Sequence, residues 1–128
     1  LPGIQKLVYY GSAMKKLLWV GSVLKDLRAF PEAARRMAGH NLHLVQEGLE
    51  PDDWKPIASI GPGVYELRIH TGVEHRIFYV AKFAEGIYVL HAFEKRTRQT
   101  PHRDIELAQE RYQEILRTRQ GTSRPHRS

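Results

Sequence analysis

The chain predicts an α+β domain built around an antiparallel meander, on three observations. Apolar residues recur at helical spacing over 34–49 and 105–116, stretches rich in β-branched and aromatic residues fill 64–95, and Gly72 and Gly86 divide those stretches at hairpin spacing. At 128 residues the chain suits one domain with one core. Its 41% hydrophobic and 27% charged residues are ordinary for a globular protein, and no apolar run nears the roughly 18 residues of a membrane helix. The chain has no cysteine, which excludes disulfides and thiolate metal sites and is compatible with a cytoplasmic location.

Residues 1–13, "LPGIQKLVYYGSA", precede Met14 and read as a leader or remnant, leaving 14–119 as the domain. "KLLWV" (16–20) is a short buried strand that Gly21 stops. Ser22 is placed to cap a first helix reaching about Ala29, and Pro31, after Phe30, opens a second helix at its first position. Ala34, Met37, Ala38, Leu42, Val45 and Leu49 form the apolar stripe of that second helix, and Gly48 marks its end. After "EPDDW" come strands at about 55–60, 64–70, 74–83 and 87–95. A last helix over 103–119 carries Ile105, Ala108, Tyr112, Ile115 and Leu116 on one side, and 120–128 reads as a disordered basic tail.

The net charge of +6 is unevenly placed. Residues 95–128 hold nine Lys or Arg against four Asp or Glu, whereas residues 1–94 hold eleven against ten. A positive C-terminal quarter suits RNA or an acidic partner, or is simply a solvated basic helix.

Strand register sharpens this picture. A three-residue turn at 71–73 sets Leu67 against Ile77 and Tyr65 against Tyr79, whereas a two-residue turn would bury Arg76 opposite Leu67. The first register wins and puts Arg68 opposite Arg76. A two-residue Glu85-Gly86 turn in the next hairpin pairs Phe78 with Phe93 and brings Lys95 opposite Arg76. Arg68, Arg76 and Lys95 then form a row on a polar face, where replacing Arg76 is expected to spare the fold. Like charges directly opposite cost up to about 1 kcal/mol a pair. Either Glu66, Glu74 or other acids neutralise the row, or the row is an anion site gripping a phosphate through charge-assisted hydrogen bonds.

Other residues carry less. His91 shares a face with Lys95 and reads as a core histidine; His70, His75, His40 and His43 have no metal-ligand spacing, so no metal and no cofactor is expected. Lys55 could reach a phosphate. No Walker loop, nucleotide fingerprint or nucleophile elbow appears.

The element order, with "WVGSVLKDLRAFPEAAR", "DWKPIASIGPGVYELRI", "HRIFYVAKF" and "VLHAFEKRTRQTP", resembles the HigB-like branch of the RelE/ParE toxin superfamily over residues 15–116. The resemblance implies a RelE-type fold, with two N-terminal helices packed on one face of the sheet. It also implies a helix-turn-helix antitoxin of the HigA type as partner, operator DNA reached only through that antitoxin, and an mRNA endonuclease acting on the ribosome. Family roles at the scissile phosphate fall on Arg76 and on Lys95 or Arg96, Lys95 matching better. The implied chemistry is metal-independent: the 2′-hydroxyl attacks phosphorus and a 2′,3′-cyclic phosphate forms, with Arg68, Arg76 and Lys95 stabilising the developing charge. Arg96, Arg98, His102 and Arg103, with Lys55, would hold RNA. The family's C-terminal tyrosine has no counterpart, since Tyr112 reads as core; the general base stays unassigned. ParE-type members poison DNA gyrase without cutting RNA, and an inactive toxin that only binds its antitoxin is a third reading.

Overall fold

The computed structural model describes residues 14–123, with side chains through residue 121; the expected leader and residues 124–128 lie outside the described residues. In chain order the elements are β1 (Leu17–Trp19), α1 (Val23–Arg28), α2 (Glu32–Gln46), β2 (Trp54–Pro56), β3 (Val64–His70), β4 (Glu74–Val80), β5 (Ile87–Lys95) and α3 (His102–Ser123). They form an α+β fold around one five-stranded sheet of order β1-β5-β4-β3-β2. The meander is antiparallel, and β1 pairs parallel to β5, the one crossover. Among the described residues no helix is long and apolar enough to cross a membrane.

Strand alternation gives the sheet two faces, each with its own apolar cluster. On one face Leu67, Ile69, Ile77, Tyr79, Ile87 and Val89 pack against Val23 and Leu27 of α1 and Ala34, Ala38, Leu42 and Val45 of α2. On the other, Val64, Phe78, Val80 and Leu90 pack against Ala108, Tyr112 and Ile115 of α3. This second face carries charge instead at its far half, beyond Phe78: Glu66, Arg68 and His70 on β3, Glu74 and Arg76 on β4.

Several local expectations shift. The six-residue α1 is short, and the Ser22 hydroxyl donates to the Asp26 carboxylate (2.7 Å) instead of capping a backbone N–H. Pro31 stands one residue before α2, with extended backbone (ψ 153°), so the helix opens at Glu32. Gly48, at φ +76°, turns the chain out of α2 as expected, but Leu49 then lies outside the helix and is 55% exposed. Strand β2 is three residues long, and β4 stops at Val80. Helix α3 continues to Ser123, so residues 120–123 of the expected tail are helical.

The first hairpin has the expected register, with Leu67 opposite Ile77 and Arg68 opposite Arg76. The second does not. Residues 81–86 form a longer loop in which Phe83 turns into the α3 core, and a bulge between Phe78 and Tyr79 slips the pairing, so that Phe78 faces His91 but Tyr79 faces Val89. Leu90 is the extra residue; its carbonyl accepts a 2.8 Å bond from Arg111 Nη1. Arg76 consequently faces Phe93, and Lys95 faces Glu74.

Candidate functional site

The expected row of three cations becomes a cross-strand ion network centred on an acid. Glu66 on β3 is 2% exposed, and its carboxylate receives Arg68 Nε at 3.3 Å, Arg76 Nε at 3.6 Å and Lys55 Nζ at 3.9 Å. Arg76 is itself buried, its side chain 9% exposed, with Nη1 donating to Glu74 Oε1 at 2.9 Å. The polar face expected for Arg76 is therefore closed, and the like-charge pair Arg68–Arg76 is neutralised by Glu66 and Glu74. Arg68 keeps a side-chain exposure of 30% and, unlike Arg76, still reaches solvent.

The network continues to the sheet edge through His70, whose Nε2 lies 2.6 Å from Asp53 Oδ2 and whose Nδ1 lies 2.7 Å from Glu74 Oε1. Bonds to Asp53 and then Glu74 raise the His70 pKa, and bonds from His70 and then Arg76 lower that of Glu74. Asp53, His70, Glu74, Arg76 and Glu66 thus form one chain of contacts across β3 and β4.

Lys95 is aimed elsewhere. Its Nζ donates to the carbonyls of Thr97 (2.7 Å) and Arg98 (2.6 Å), fastening the turn that follows β5. That turn carries the accessible cations. Arg96 is 79% exposed and bonded to Glu94; Arg98 and Arg103 are exposed and have no ion pair among the described residues. His102, at the start of α3, is exposed and pairs with Glu106 at 3.2 Å, a surface contact one helical turn long. Lys55 is half-exposed beside Glu66, on the far side of β3 from this turn.

Between the turn and α3 lies a cleft of about 430 Å³, lined by Phe93, Glu94, Arg96, Thr97, Pro101, Arg103 and Asp104. Its wall has a support that sequence reading missed. His91 Nε2 lies 2.7 Å from Asp104 Oδ1, with both side chains largely buried (8% and 13% exposed). The His91 ring stacks on Phe93, centroids 4.9 Å apart and planes 18° apart. His91 is a core histidine, as expected, but one tied to a first-turn acid of α3. Nothing in the sequence flags Asp104, because an acid there also reads as a complement to the helix dipole.

The model of the family described as phage-derived protein Gp49-like (DUF891) matches residues 25–113, from α1 to the middle of α3. No curated protein matches the chain.

Proposed function

The chain belongs to the phage-derived Gp49-like family, a toxin-like one, and on that footing we propose that it is the toxin of a type II toxin–antitoxin system that cleaves mRNA on the ribosome. One observation carries the RNA reading: the exposed arginines 96 and 103 line a cleft that has an aromatic wall, and the exposed Arg98 rides on the same turn. Cations in reach of solvent bind phosphate, and an aromatic face accepts an unpaired base, which together suit a single strand better than a duplex. A HigB-like member with a RelE-type fold would cut by 2′-hydroxyl attack, with expulsion of the 5′-oxygen and formation of a 2′,3′-cyclic phosphate.

In that reaction the roles first expected for the trio are redistributed. Arg96 and Arg103 are placed to hold the phosphate, Arg68 supplies further positive charge from the sheet, and Arg76 acts by holding Glu66 and Glu74. Lys95 fixes the turn on which Arg96 and Arg98 ride. The proposed partner is a helix-turn-helix antitoxin whose acidic surface covers the basic turn, since complementary charge gives fast association and blocks the site at once.

The internal neutralisation of Arg76 and the backbone contacts of Lys95 favour a second reading, a poison that acts by protein contact on DNA gyrase. Expression tests the shared toxin claim: the chain alone should arrest growth, and co-expression of a helix-turn-helix antitoxin should relieve it. Normal growth of cells making the full-length protein at a high level would overturn both readings.

A further inference from the structure

We infer that the Asp104 carboxylate reads the nucleobase in the cleft, selecting bases that carry an amino group. The inference rests on the RNA reading above and assigns a specificity to its cleft. An ionised carboxylate only accepts hydrogen bonds, so His91 Nε2 carries the hydrogen that bonds Asp104 Oδ1 at 2.7 Å. That bond fixes the carboxylate in the cleft wall. The second oxygen, Oδ2, has no hydrogen-bond partner among the described residues. The buried side-chain atoms left without one are His75 Nδ1, Arg76 Nε and His91 Nδ1, so Oδ2 keeps contact with solvent. The wall therefore presents a fixed, free acceptor.

The neighbours restrict what that acceptor meets. Glu94, the other carboxylate of the cleft, is committed to Arg96 through bonds of 3.0 and 3.4 Å. Asp104 would repel a phosphate and calls for an uncharged donor; Arg96 and Arg103 beside it call for the phosphate. A nucleotide satisfies both demands, with its backbone on the arginines and its base along Phe93. A carboxylate accepts from the N4 amino group of cytosine, the N6 amino group of adenine, or N1–H and N2 of guanine. Uracil turns carbonyl oxygens to most of that edge and offers one imide donor, so it is the disfavoured base.

Fluorescence anisotropy with labelled single-stranded oligo-A, oligo-C and oligo-U, on the full chain and on Asp104→Asn, tests this. Asparagine keeps an oxygen for His91 and nearly the same shape, so the variant should fold, as a thermal melt by circular dichroism will show. Wild type should bind oligo-A and oligo-C about tenfold or more tighter than oligo-U, the range expected for a hydrogen bond to a charged acceptor. The folded variant, whose amide also donates to a carbonyl, should bring the three within about twofold. Equal binding of all three oligomers by wild type, no binding of any, or an unchanged preference in Asp104→Asn overturns the assignment. Amino-base preference without mRNA cleavage on ribosomes would instead sink the nuclease reading and leave the base-reading cleft standing.

Discussion

Arg76 Nε stands 3.6 Å from Glu66 Oε2, and both side chains are closed off from water, at 9% and 3% exposure. A buried carboxylate is tolerated when it is paired, and removing one partner leaves charge uncompensated. Glu66 keeps Arg68 and Lys55 if Arg76 is lost, so the penalty falls at the low end of the usual range. Arg76→Ala is predicted to destabilise the fold by about 3 kcal/mol, lowering the melting temperature by roughly 10 °C. Pairing it with Glu66→Gln should restore part of the loss. An unchanged melting temperature in the single variant would contradict the ion network. Loss of activity in Arg76→Ala is thus to be read beside its melt.

His70 links stability to pH. Its pKa is raised by Asp53 and Glu74, so its contribution is complete below the ordinary histidine value of about 6.5 and is lost as pH rises through the raised value. Glu74 runs the opposite way: its pKa is lowered, so its contribution is present above the ordinary carboxylate value and lost as pH falls through the lowered one. Because His70 is half-exposed, solvent screening keeps the effect under about 1 kcal/mol. Urea midpoints should decline from mildly acidic to alkaline pH in wild type and decline less in His70→Asn. Parallel curves would remove His70 from the network.

Gly61 lets α3 close on the sheet. A Cβ there would lie 2.3 Å from Tyr112 Cε2, and the Tyr112 ring is buried, with its hydroxyl donating to the Pro62 carbonyl at 2.8 Å. The ring cannot give way without losing that bond. Gly61→Ala is predicted to cost about 1–3 kcal/mol as overpacking, read as a lower denaturant midpoint.

The basic turn should show itself through salt. If Arg96, Arg98 and Arg103 each meet a phosphate, replacing any one by alanine should weaken RNA binding and reduce the slope of log K against log salt by about 0.7 for a single strand. His102→Ala should leave the slope unchanged near neutral pH, since its ring is engaged by Glu106 on the helix surface.

How much of this the sequence carried depends on where tertiary contacts intervene. The first hairpin was legible because Leu67 with Ile77 and Tyr65 with Tyr79 match only in one register, and that register also fixed Arg68 opposite Arg76. The second was not, because the alternation along β5 is broken at Leu90 by a bulge whose freed carbonyl is taken by Arg111, a residue of α3. Burial of Glu66 was hidden for a similar reason. By alternation it falls on the charged half of its face, and only the converging side chains of Lys55, Arg68 and Arg76 close it off. The cations of the final turn were legible as charge, but the cleft beside them depends on His91 meeting Asp104 across thirteen residues and a loop, which no local pattern announces.

Mapping mRNA ends after incubating the purified protein with translating ribosomes tests the nuclease reading. Cuts should be confined to mRNA engaged by the ribosome, each leaving a 2′,3′-cyclic phosphate on the upstream fragment, and absent once antitoxin is added. Intact mRNA, with translation running at its normal rate under a protein concentration that arrests cell growth, would contradict it.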